Sequence, residues 1–211
     1  MSAHAIAAQA AASTAGSQGL WLVSRASGVI LLILFSAVMV LGVSTRTGAA
    51  TRRWPRFAVA ELHRTLSLFA VALLGLHVGT ALLDPYLSIG WISAVLPFTS
   101  HYETLAIGAG TLAVDAGGAV LITSLLRRRL GLRAWRAVHY LAYLAWPVAF
   151  VHAITAAAYD QHLWWVAATE WGSLTAVATA VVVRLVKRGR PVPIPGPQAT
   201  DSRPPVTGAV R

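Results

Sequence analysis

The chain has 211 residues, of which 56% are hydrophobic and 11% charged, and a mean hydropathy of +0.64. A soluble domain of this size carries about a quarter charged residues, so the composition points to a membrane protein. Cysteine is absent, which excludes disulfides, zinc–thiolate and iron–sulfur centres, and covalent haem attachment. The net charge of +10 does not point to nucleic acid, because the basic residues stand in short clusters beside apolar runs, the pattern of a topology signal.

The first twenty residues are rich in Ala, Ser and Gly, lack a basic signal-peptide start, and are expected to form a flexible outer tail. Five apolar segments follow, at about 21–43, 61–83, 104–126, 136–158 and 163–186. Each is long enough to cross hydrocarbon of roughly 30 Å, and backbone groups in lipid must be satisfied internally, so each is expected to be a helix. The predicted fold is therefore an all-α, polytopic bundle of five transmembrane helices in the cell membrane. The loop 84–103 is apolar enough to suggest a short interfacial or re-entrant helix near Leu87–Leu96. Residues 187–211 are Pro-rich and expected to be a disordered cytoplasmic tail.

Thirteen of the seventeen Lys and Arg residues follow the first, third and fifth segments: Arg46, Arg52, Arg53 and Arg56, then Arg127, Arg128, Arg129, Arg133 and Arg136, then Arg184, Lys187, Arg188 and Arg190. Loops 84–103 and 158–162 hold none but carry Asp84, Glu103 and Asp160. The positive-inside rule then places the N-terminus outside and the C-terminus in the cytoplasm. Trp21, Trp91, Trp164 and Trp165 would mark the outer interface, and Trp54 and Trp135 the inner one.

Two apolar runs are bounded by histidines: "HRTLSLFAVALLGLH", His63 to His77, and "HYLAYLAWPVAFVH", His139 to His152. Both segments run from inside to outside, so His63 and His139 share one depth. His77 and His152 share another, about 20 Å further out at a rise of ~1.5 Å per residue. A lone membrane histidine is as readily a packed polar residue as a ligand, but two depth-matched pairs point to a cofactor. Neutral imidazole is a good iron ligand, and facing histidines on bundle helices can clamp a haem. Without cysteine the haem would be noncovalent and b-type. Two axial histidines favour electron transfer over oxygen chemistry. The expectation is an inner haem iron on His63 and His139, an outer one on His77 and His152, and an electron path between them. A histidine proton relay in a non-redox protein is the competing reading.

Helical phase supports one pair better than the other. His63 and His77 fall roughly 40° apart, but His139 and His152 fall roughly 140° apart, with Pro147 between them as a source of kinking. Arg25 and Arg64 are candidate partners for haem propionates, Arg64 the better placed of the two, against a snorkelling arginine as the alternative. Asp115 and Glu170 are intramembrane acids that suit a proton path or a polar contact equally. His4, His101 and His162 fall in the tail and loops and are expected at the surface. "GAGTLA", Gly108–Ala113, has the form of a dinucleotide motif but stands inside a membrane segment with no strand before it, so no flavin or NAD(P) site is expected. Gly108, Gly110, Gly117 and Gly118 suit either close helix packing or room for a porphyrin edge.

On these histidine pairs, and on "RAWRAVHYLAY" leading into the second ligand segment, the sequence resembles the ferric reductase-like transmembrane family over about residues 20–186. That family includes iron-chelate reductases and the membrane part of NADPH oxidases. The resemblance implies a bis-histidine, two-haem b-type cytochrome in the membrane. Many relatives have an additional helix before the first one here and a flavin/NADPH domain after the last. The chain is thus expected to act as the membrane module, taking electrons from a cytoplasmic flavoprotein or a quinol and passing them to a ferric chelate or redox protein outside. A haem-bearing anchor subunit of a larger flavoprotein complex is the alternative.

Overall fold

The computed structural model describes residues 3–47, 55–157 and 160–188, with side chains described for 16–45, 55–157 and 160–187. The described residues form six α-helices: α1 (Ala3–Thr47), α2 (Arg56–Leu83), α3 (Thr104–Leu125), α4 (Arg127–His139), α5 (Ala142–Ala156) and α6 (Trp164–Arg188). No strand occurs among them. Four of these helices are long and apolar enough to cross a membrane, and α4 with α5 makes a fifth span if the bent pair is counted as one. The chain is a multi-pass membrane protein. His4, Trp54, Arg52, Arg53, Arg190 and most of the Pro-rich tail lie outside the described side chains.

Two elements differ from expectation. α1 begins at Ala3, through the stretch expected to be a loose tail, although its membrane-length part is Gly16–Thr45. That stretch is rich in alanine, the best helix former, which extends the helix beyond its apolar portion. The single helix expected at 136–158 is instead α4 and α5, bent by 45°. Around Tyr140–Leu141 the backbone tightens into three-residue bonds, Leu141 N–H to Val138 O at 2.9 Å and Tyr143 N–H to Tyr140 O at 3.0 Å. Pro147 follows within α5; it cannot donate to the Tyr143 carbonyl and its ring crowds that oxygen. Gly131 interrupts α4 at φ +74°, a left-handed conformation open to glycine.

α1 packs along α2 and α6, α3 packs along α5, and α1 also reaches α5. α2 and α5, which carry His63, His77 and His152, make no sustained contact with each other. Between them lies a cavity of about 1410 Å³. At mid-depth Met39, Trp146 and Val177 form a small core, where Trp146 Nε1 donates to Ser36 Oγ at 3.0 Å. Outward faces carry large apolar side chains such as Ile33, Phe69, Leu105 and Ile122, as a lipid-facing surface requires. Helix hydroxyls return to carbonyls one turn back, for example Ser36 to Leu32 O at 2.7 Å and Thr123 to Ala119 O at 2.7 Å, so few polar groups are left facing hydrocarbon.

The loop between α2 and α3 contains a single 3-10 turn, Trp91–Ala94, within the stretch where a short helix is expected. Thr111 on α3 donates to Ser93 O at 2.6 Å and pins the turn to the bundle. Leu87, Ile89, Ser93 and Ala94 then form part of the cavity wall.

Candidate paired-histidine site

All four histidines line the same cavity. His77 and His152 face each other with ring centroids 6.2 Å apart and planes at 78°. Two iron–nitrogen bonds of about 2 Å, plus the distance from nitrogen to ring centre on each side, put opposed axial imidazoles roughly 6 Å apart, so the spacing fits two donors on one iron.

Three histidines are seated the same way. A Cβ built on Gly28 would meet His77 Cε1 at 3.0 Å, one on Gly42 would meet His63 Cε1 at 3.2 Å, and one on Gly110 would meet His152 Cε1 and Nδ1 at 2.8 Å. Each imidazole therefore lies with its Cε1–Nδ1 edge against a helix surface that glycine leaves open. Each Nδ1 then reaches the carbonyl four residues before that glycine: His77 to Ser24 O at 2.8 Å, His63 to Val38 O at 3.0 Å, and His152 to Ala106 O at 2.7 Å. Residues four apart stack on one helical face, so the gap left by the glycine and the carbonyl one turn back form a single cradle. A carbonyl is an acceptor, so Nδ1 carries the hydrogen and Nε2 is left as the basic nitrogen, the tautomer a metal ligand needs. Gly28 and Gly42 are fourteen residues apart on α1, and His63 and His77 fourteen apart on α2, so antiparallel packing satisfies both contacts in one register.

His139 is held differently. It is the last residue of α4, and its ring lies 4.9 Å from that of Trp135, tilted by 30°. Trp135 in turn donates from Nε1 to Ser124 Oγ at 3.3 Å and lies under the Arg127 guanidinium at 4.6 Å. Trp135, expected as an interface marker, thus packs against a candidate ligand.

The remaining candidates separate clearly. Arg25 pairs with Asp160 at 2.9 Å, donates to Ala156 O at 3.4 Å and packs 4.8 Å from the Trp21 ring, and all four residues line the cavity. Arg64 borders the cavity but its side chain is 73% exposed, 3.8 Å from Glu61. Glu170 is buried on the cavity wall, where Gln161 Nε2 donates to its two oxygens at 3.3 and 3.1 Å. Asp115 is exposed on α3 and does not border the cavity. His101 and His162 are exposed. The four glycines of α3 divide: Gly108 is covered by the Phe98 ring, Gly110 seats His152, Gly117 borders the cavity, and Gly118 has open space around it.

Gly28, Gly42 and the three carbonyls escape a reading that looks only for ligands, although the shared spacing of fourteen is visible in the sequence. Arg184 also escapes it, because in sequence it stands with the charges expected on the cytoplasmic side. Its signal was an arginine inside the apolar run "VVVRLV".

The bundle and its histidine-lined cavity define a helical membrane protein with room for a large group between its spans. The chain belongs to the ferric reductase like transmembrane component family, whose model matches residues 27–150. The match spans His63, His77 and His139 and stops two residues before His152. No curated protein and no solved structure matches the chain significantly. Membership in this family supports membrane electron transfer.

Proposed function

We propose that the protein is a di-haem b-type membrane cytochrome, with an inner haem held by His63 and His139 and an outer haem held by His77 and His152. The observation that carries this reading is the outer pair, two imidazoles 6.2 Å apart, each with Nδ1 on a backbone carbonyl and its ring in a glycine cradle. A bare metal ion is poorly served by two imidazoles, and no group of three or more His, Asp or Glu gathers around one point among the described residues. A haem brings four nitrogens of its own and needs only two more.

When bound, the haems would supply one-electron chemistry, and two axial imidazoles at each would leave no position open for oxygen. The chain's own part is orientation and insulation. Glycine cradles set the ring planes, carbonyls fix the tautomers, and apolar walls keep water from the path. The basic residues of α4, Arg127 to Arg136, and those at the end of α6, Lys187 and Arg188, support an inner, cytoplasmic side for His63 and His139. Electrons would enter there from a flavoprotein or quinol and leave at the outer pair to a ferric chelate or redox protein. The loop with Ser93 and Ala94 forms part of the outer wall they would cross.

The test is the visible spectrum of the purified protein, oxidised and dithionite-reduced, with pyridine haemochrome quantitation. Two low-spin b-type haems per chain are expected. His77→Ala and His152→Ala should each remove the same haem, and His63→Ala and His139→Ala the other. A colourless protein from a haem-sufficient host would overturn the reading in favour of a histidine proton relay.

A further inference from the structure

Arg184 is the only buried arginine among those with described side chains, at 8% exposure. It sits on α6 within a membrane-length apolar stretch and borders the cavity. Its guanidinium donates a hydrogen bond to the Tyr143 hydroxyl. It also lies 5.1 Å from the Tyr143 ring centre and 6.0 Å from that of Tyr140, the residue next to His139. None of these partners is charged. Among the described residues no carboxylate lies within 4 Å of it, whereas Arg25, the cavity's outer arginine, is neutralised by Asp160 at 2.9 Å.

A cation taken out of water into a membrane interior is strongly disfavoured unless a counter-charge meets it. Two aromatic faces offset only part of that cost. Snorkelling does not apply, because the side chain is buried and does not reach the surface. The counter-charge must therefore come from what fills the cavity. The Tyr143 hydroxyl accepts from Arg184 and still has its own hydrogen to donate, so two donors stand together on one wall. A carboxylate, with two acceptor oxygens, matches them.

We infer that Arg184 and Tyr143 form an oxyanion site within the inner half of the cavity, and that its occupant is a carboxylate of the inner haem. This rests on the haem reading and assigns the anchoring role to Arg184 in place of Arg64, which is exposed and already beside Glu61. A haem held by His139 would lie beside this wall, because Tyr140, whose ring Arg184 faces at 6.0 Å, is the residue next to His139 and both line the cavity. The phosphate of an anionic lipid has the same chemistry but approaches from the bilayer surface.

The experiment uses full-length protein made without haem, placed in nanodiscs, and titrated with haem b and with haem dimethyl ester, which lacks the charged carboxylates. Wild type should bind haem in two phases, and the ester should bind about ten-fold or more weakly in the inner phase, the loss expected for one charge-assisted pair. In Arg184→Gln the inner phase should weaken for haem and lose its preference over the ester, with the outer phase as internal control. Tyr143→Phe, the milder change, should halve the preference or more, and Arg184→Lys should keep part of it. Preference for haem over the ester retained in both Arg184→Gln and Tyr143→Phe would overturn the assignment. So would inner-phase binding that ignores esterification but depends on phosphatidylglycerol in the disc, which would make the occupant a lipid headgroup. Wild type that binds neither compound would overturn the haem reading itself.

Discussion

The His77 and His152 rings stand nearly perpendicular with their centres 6.2 Å apart, although their helices, α2 and α5, make no sustained contact. The separation is therefore set from behind each ring rather than by packing between the two helices. Gly28 and the Ser24 carbonyl on α1 hold one ring, and Gly110 and the Ala106 carbonyl on α3 hold the other. The gap between them is maintained by two neighbouring helices.

Gly110→Ala should displace the His152 ring, because the added Cβ would lie 2.8 Å from two of its atoms. Alanine is intrinsically better in a helix by about 1 kcal/mol, so any loss must come from the ring and not from the backbone. The expected result is loss of most outer-haem absorbance with thermal stability preserved. Gly42→Ala, with a 3.2 Å contact to His63, should do less at the inner site, and Gly118→Ala, with nothing near it, should change neither spectrum. Haem stoichiometry and melting curves of the three variants decide the matter.

The histidines themselves were readable because an imidazole in an apolar run is conspicuous, and their spacing places them by depth. Four of the five spans were readable for a similar reason, since length and hydropathy alone define them. What the sequence hid depended on contacts between helices. The phase expected of one regular helix does not apply to His139 and His152, because the backbone tightens at Tyr140–Leu141 and α4 and α5 are bent by 45° there, before Pro147 is reached. Gly28 and Gly42 look like ordinary small residues until α1 is laid antiparallel against α2. Arg184 belongs to a charge cluster in sequence and to the cavity wall in space.

Trp135 should position His139. The stack at 4.9 Å is fixed by the bond from Trp135 to Ser124, so the indole replaces the glycine cradle that seats the other three histidines. An aromatic pair of this kind contributes about 0.5–1.5 kcal/mol beyond its buried area. Trp135→Ala should therefore weaken inner-haem binding by roughly two- to ten-fold, and shift the inner haem's electron paramagnetic resonance signal as its imidazole turns. Trp135→Phe should restore most of the affinity. An unchanged signal in Trp135→Ala would show that the ring is set by other contacts.

Ser36 supplies the acceptor for Trp146 at the centre of the bundle, with both residues buried. Ser36→Ala leaves the indole N–H without that partner, a loss of about 1–3 kcal/mol. The melting temperature in detergent should fall by several degrees, while both haem spectra stay in place because the bonds of these two residues run to each other and to Leu32, and the Trp146 ring stacks on Phe150. Ser36→Thr, which keeps a hydroxyl, should lose less.

Arg25 and Asp160 join α1 to the segment before α6, and each side chain is only about a quarter exposed, 26% and 21%. Removing one partner of such a pair leaves the other charge partly buried, which costs more than removing both. Asp160→Asn should destabilise the protein by about 1–3 kcal/mol, below the range for fully buried pairs because water still reaches both groups. Arg25→Met with Asp160→Asn should recover part of that loss. A double-mutant cycle on thermal or denaturant unfolding measures the coupling. A coupling near zero would mean that Arg25 is held by Trp21 and the Ala156 carbonyl, and that Asp160 is replaceable there.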